Sequence, residues 1–173
     1  MVYNRLINQG DKPTKEITTM TKKNFFHYYN KLSGADGYII FFRYNGNIYM
    51  MEAKHIAPRW THEERESKKN GGHQKWKMYI SKAEKAKLIK KAELVMTSAE
   101  FKALPFKNNG HKCEYFLHQM HNLGEYTPDR VRFDKCGDVR INGVEYQVKF
   151  ENASLCNVNT LHNAQKDARQ NRK

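Results

Sequence analysis

Acidic residues are scarce in this chain of 173 residues: 18 Asp and Glu stand against 31 Lys and Arg, a formal net charge of +13. Such an excess points to a polyanionic partner, most often nucleic acid, and otherwise to a well-solvated basic surface. Cysteine is scarce too. Cys113, Cys136 and Cys156 are odd in number and lack paired spacing, which does not suggest a disulfide framework and fits a reducing cytoplasm. No apolar run approaches the length of a membrane span, and Met1-Val2-Tyr3-Asn4-Arg5 lacks the apolar core of a signal peptide. A Gly-rich phosphate loop of the Walker type and a nucleophile elbow are both missing. Hydrophobic residues make up only 39%, but aromatics at 12% suffice for a packed core and argue against disorder.

What is present reads as alternating helices and hairpins. Residues 1–20 form an irregular lead-in broken by Gly10-Asp11 and Pro13. Thr21 caps a helix to about Leu32, with Phe25, Phe26, Tyr29 and Leu32 as its buried stripe. Ser81-Lys82-Ala83-Glu84 and Thr97-Ser98-Ala99-Glu100 are capping boxes on either side of a buried strand, Ala92 to Met96. Asn108-Asn109-Gly110 marks the clearest internal boundary. A helix from about His111 to Leu123 follows, closed by Gly124, with Cys113, Phe116, Leu117 and Met120 inward. Arg130 to Phe133 reads as a short strand, and Asn159 or Thr160 caps a last helix with Leu161, Ala164 and Ala168 inward. This grammar predicts a mixed α/β (α+β) fold, organised as a lobe over 21–107 and another over 108–173, or as one compact unit.

The most informative stretch runs from Gly137 to Phe150. Asn142-Gly143 is a strong two-residue hairpin turn, because both positions need positive φ. The register then pairs Ile141 with Val144 and Val139 with Tyr146, and sets Asp138 opposite Gln147, with β-carbons about 4.5–5.5 Å apart. Strand alternation puts Lys149 on the same face. A carboxylate, an amide oxygen and an amine meeting on one patch suit a hard divalent cation, Mg²⁺ or Mn²⁺, with an ammonium beside it.

At these residues the chain resembles the PD-(D/E)XK nuclease superfamily, with Asp138 as the strand aspartate and Gln147-Val148-Lys149 as the (Asp/Glu/Gln)-x-Lys element. The resemblance implies a restriction-endonuclease-like mixed sheet flanked by helices, with Glu114 as the helical carboxylate. Asp138, Gln147 and Glu114 would be the metal ligands, and Lys149 would activate the attacking water. Gln147 departs from the commoner acidic residue and removes one negative charge.

The first half repeats the pattern: an aromatic helix ending at Gly34, Asp36, an Asn45-Gly46 hairpin, then Glu52-Ala53-Lys54. From Asp36 to about Thr97 it resembles Holliday-junction resolvases of the RecU type, which implies a second catalytic set of Asp36, Glu52 and Lys54. The repeat is either a duplicated nuclease fold or a coincidence of two common hairpins. A turn at Asn45-Gly46 pairs Glu52 with Ile39 and leaves Asp36 about 10 Å away on the other face. A turn at Arg43-Tyr44-Asn45, with Gly46 as a bulge, sets Asp36 opposite Glu52.

Lys68, Lys69, Lys75, Trp76 and Lys77 form a basic loop that either tracks a phosphate backbone, with Trp76 stacked on a base, or is simply solvated. Lys166, Arg169 and Arg172 in the basic tail are further phosphate contacts. His111, Cys113, His118 and His121 match no common zinc-finger spacing. Two functions follow. One is a metal-dependent nuclease cutting DNA or RNA, encoded by a phage or plasmid. The other is a non-catalytic protein on a degenerate nuclease fold that grips nucleic acid or blocks a nucleoprotein defence enzyme such as an RNA-guided nuclease. Neither requires a membrane, and both allow an oligomer.

Overall fold

The computed structural model describes residues 21–33, 35–61, 63–67, 73–128 and 137–157, with 161, 166 and 170. The expected lead-in 1–20, the strand at 130–133 and most of the last helix lie outside these residues.

Helix α1 spans Lys22–Leu32, and the Thr21 hydroxyl accepts from the Asn24 N–H at its start. Strands β1 (Gly37–Tyr44) and β2 (Asn47–Ala53) form the first hairpin, with Asn45 and Gly46 at positive φ. Its register is the one with Ile39 opposite Glu52. Strands β6 (Val139–Ile141) and β7 (Val144–Phe150) form the second hairpin, pairing Ile141 with Val144 and Val139 with Tyr146 as the turn predicts. The two hairpins are joined by a parallel pairing of β1 with β7, Gly37 opposite Tyr146 and Ile39 opposite Val148. Strand β5 (Glu93–Thr97) completes a mixed sheet of order β5-β2-β1-β7-β6. The molecule is therefore a mixed α+β fold with helices on its sheet.

Strand β1 is buried on both faces, which explains its unbroken run Tyr38-Ile39-Ile40-Phe41-Phe42. Its even-numbered side chains pack with Phe25, Phe26, Tyr29, Trp60 and Trp76. Its odd-numbered ones, Ile39 and Phe41, pack with Cys113, Leu117, Val139 and Val148. The second of these cores is covered by α4 (Asn109–Met120), whose first turn is capped by the Asn108 side chain. Short helices α2 (Lys82–Leu88) and α3 (Ser98–Lys102) follow their predicted caps. The box at Thr97 and Glu100 closes fully. At Ser81 only half of it forms, because the Glu84 carboxylate instead accepts from Trp60 Nε1 at 2.9 Å and Arg59 Nε at 2.7 Å. Those bonds, Trp60's first, hold the Glu84 carboxyl below its ordinary pKa.

Several expectations are corrected. Residues 73–77 are strand β4 (His73–Lys77), not loop, and pair with β3 (Glu63–Ser67) and β8 (Ser154–Asn157) in a second, three-stranded sheet. Strand β5 lies at the edge of the large sheet, and Leu94 is 56% exposed, so it is not a buried strand. Met120, placed on the inward stripe of its helix, is 41% exposed, and the aliphatic stem of Lys112 is buried instead. Among the described residues no helix is long and apolar enough to cross a membrane.

Candidate functional site

Two aspartates staple strand β7 from its two sides. Residues 145, 147 and 149 turn their main-chain groups towards β1, while 144, 146 and 148 turn theirs towards β6. On the β1 side, Asp36 N–H donates to the Glu145 carbonyl at 2.8 Å, and Asp36 Oδ2 accepts from Glu145 N–H at 3.0 Å. On the β6 side, Asp138 Oδ2 accepts from Val148 N–H at 2.9 Å. The residue before Asp138 must be glycine, since a Cβ on Gly137 would stand 2.4 Å from the Tyr146 carbonyl oxygen.

This staple turns Asp138 away from the partner expected for it. Strict alternation would set its side chain on the face of Gln147. Asp138 instead precedes the first strand residue, and its carboxylate stands in for a main-chain acceptor. It lines a cleft of about 350 Å³ with His111, Glu114, His118 and Tyr126. Glu114 Oε2 accepts from the Tyr126 hydroxyl there. His118 lies against the Tyr126 ring, centroids 5.1 Å apart, with a buried Nδ1 that has no hydrogen-bond partner among the described residues. Gln147 points elsewhere: its Nε2 donates to the Ser33 carbonyl at the end of α1 at 2.8 Å, and its buried Oε1 has no hydrogen-bond partner among the described residues. Lys149 lines a different cleft, with Arg43 and Asn109. The structure thus brings Asp138 and Glu114 together and leaves Gln147 and Lys149 apart from them.

The first-half set fares differently. Glu52 shares the α4 face with its partner Ile39. One row along, Gly37 carries no side chain, and the Tyr146 ring occupies the space above it; an added Cβ would touch the ring at 3.4 Å. The Tyr146 phenol thereby reaches the Glu52 carboxylate. Its pKa is raised, first by burial, then by the charges of Glu52 and Asp36 and by its hydrogen bond to Glu52. The hairpin register separates Asp36 from Glu52, and the charge of each raises the Tyr146 pKa. Lys54 is exposed just beyond the end of β2. Tyr146 is the residue that sequence reasoning missed. It comes from the other half of the chain, and only the non-local β1–β7 pairing delivers it.

Other expectations resolve simply. Cys113 sits wholly in the core, where burial, and next the Glu114 charge, push its thiol well above the ordinary range, an environment that opposes the thiolate a zinc ligand must be. His121 is exposed at the end of α4. Trp76 is 3% exposed and belongs to the core, so it does not offer its ring to a base. Lys77 is half-buried on β4, and Lys166 is exposed. Lys68, Lys69, Arg169 and Arg172 lie outside the described residues, as does the Lys75 side chain. Among the described residues, no three His, Cys, Asp or Glu side chains are grouped to hold a metal ion.

No family model matches the chain, and no curated protein or solved structure does either.

Proposed function

We propose that this protein is a metal-dependent nuclease whose reacting centre is Asp36, Glu52 and Lys54. The observation that carries this reading is the seat of the Tyr146 ring over Gly37, beside Asp36 and one row from Glu52; the charges of both carboxylates raise its pKa. The donors suit Mg²⁺ or Mn²⁺. A magnesium site typically uses only one or two carboxylates and keeps several waters. Asp36 has one carboxylate oxygen engaged with the Glu145 N–H and the other available to an ion. When bound, the ion would stabilise charge on a phosphoryl oxygen and acidify a water. Tyr146 lies near enough for its O–H to donate to Glu52 and so to orient that carboxylate. The Lys54 ammonium, two residues beyond Glu52, offsets the negative charge of a phosphodiester.

A second reading is favoured by one specific feature. Asp36 and Asp138 each bond to the main chain of β7, and Gln147 bonds to Ser33, as residues of a structural scaffold do. On that reading the protein binds nucleic acid, or blocks a nucleoprotein defence enzyme, without cutting.

Labelled DNA and RNA incubated with Mg²⁺, Mn²⁺ or EDTA separate these readings. We expect cutting only with metal, reduced by about 10²-fold or more in Glu52→Gln and Lys54→Ala. Loss of cutting in Asp138→Asn or Lys149→Ala, with Lys54→Ala still active, would move the centre to the second half. Tight binding without cutting in any metal supports the non-catalytic reading.

A further inference from the structure

The carboxyl ends of β1 and β7, the parallel pair, open onto two adjoining clefts of about 560 and 390 Å³ that share Arg43, Glu151 and Asn152. Arg43 lies over the Phe150 ring at 5.1 Å and the Phe101 ring at 5.9 Å, and those rings are themselves stacked. Its main-chain N–H donates to Glu151, while its guanidinium has no hydrogen-bond acceptor among the described residues. Lys149 lines one cleft and Lys82 the other. Among the described residues Glu151 is the one carboxylate on either wall, and it is already neutralised by its ion pair with Lys85. Arg43, Lys82 and Lys149 therefore present uncompensated positive charge. The first turn of α4, Asn109 and Gly110, borders the same space with main-chain N–H groups that a helix leaves unpaired.

We propose that this trough binds the phosphate backbone of a nucleic-acid strand, at the opposite end of β1 from Asp36 and about 23 Å from it. The choice of partner rests on the nucleic-acid reading above; the trough itself rests on its own charges. Arg43 supplies a planar fork that matches two phosphate oxygens, and the two rings beneath hold that fork in place before the ligand arrives. Lys82 and Lys149 supply point charges on either side of it. Two adjoining clefts with a shared arginine suit successive phosphates of one strand. No base-reading group is required, so the contact positions the strand without specifying its sequence.

The test is binding of a short labelled duplex, and of RNA of the same sequence, in EDTA so that nothing is cut. In the triple variant Arg43→Gln, Lys82→Gln, Lys149→Gln, affinity should fall about tenfold or more at about 0.1 M salt, and the duplex salt slope should shrink by about 2.7, three contacts at 0.9 each. A charge-matched control, Lys23→Gln, Lys31→Gln, Lys90→Gln, removes exposed charges elsewhere and should lose much less. Asn109→Glu places a carboxylate on the trough wall without disturbing the Arg43 seat, and should also weaken binding. The proposal is overturned if the triple variant and Asn109→Glu bind like the parent, if the control loses as much, if neither nucleic acid binds, or if inorganic phosphate competes as well as the duplex at equal phosphate concentration. Weakened binding in a protein that cuts nothing with Mg²⁺ keeps the trough and removes the nuclease reading. Unchanged binding, with cutting lost in Lys54→Ala, does the reverse.

Discussion

Glu151→Ala should destabilise the protein by about 3 kcal/mol, at the low end for breaking a buried ion pair because Lys85 keeps 16% of its side-chain exposure. Glu151 does two things with one carboxylate, itself only 7% exposed. Oε2 pairs with Lys85, and Oε1 accepts from Arg43 N–H at 2.9 Å, tying the end of β1 to the turn after β7. Truncation leaves an ammonium and a main-chain donor without their acceptor. For a chain of this size the loss corresponds to a fall in Tm of about 6–12 °C. Glu151→Gln keeps an acceptor for Arg43 N–H and should lose less. Thermal or urea unfolding checks both, and an unchanged midpoint in Glu151→Ala would show that the pair does not hold the two strand ends together.

Trp76→Ala should cost about 3–5 kcal/mol, a large share of the stability of a typical domain. The indole stacks on Phe25 with centroids 5.0 Å apart and meets Phe26 edge-on at 5.6 Å, so its loss opens a cavity between α1 and the small sheet. Trp76→Phe should be far milder. It keeps a ring in place and removes a buried indole N–H that has no hydrogen-bond partner among the described residues. The readout is chemical denaturation together with nucleic-acid affinity per folded molecule, which Trp76→Phe should leave unchanged. A stable Trp76→Ala with weakened binding would restore the stacking role that its lysine neighbours suggest.

Trp76 shows where sequence reasoning stops. Flanked by Lys75 and Lys77 it looks like part of a basic loop, but strand alternation sends it inward from β4. Strand β3 is equally opaque: Glu63-Glu64-Arg65-Glu66-Ser67 has no apolar alternation, and only pairing with β4 makes it a strand. By contrast, the caps at Thr21 and Thr97 and both Asn-Gly turns were legible, because each is decided within a few residues. The second hairpin's register follows from its turn, while the first is open between two turns until the structure sets Ile39 opposite Glu52. The candidate site was half legible. Asp36, Glu52 and Lys54 stand out by type and order, while their link through Tyr146 depends on β1 lying beside β7, which no local signal encodes. Asp138 misled for a related reason. Its spacing is right for an ion site with Gln147, but one residue outside the strand a carboxylate is free to rotate onto a main-chain N–H.

The most direct measurement is site-resolved Mn²⁺ titration of the amide NMR spectrum. Paramagnetic broadening depends on distance from the bound ion and requires no substrate. The signals of Asp36, Gly37, Glu52, Ala53 and Lys54 should vanish first, and Glu52→Gln should abolish the effect. Broadening centred on Glu114 and Asp138, or none at any defined place, would contradict a centre at Asp36 and Glu52.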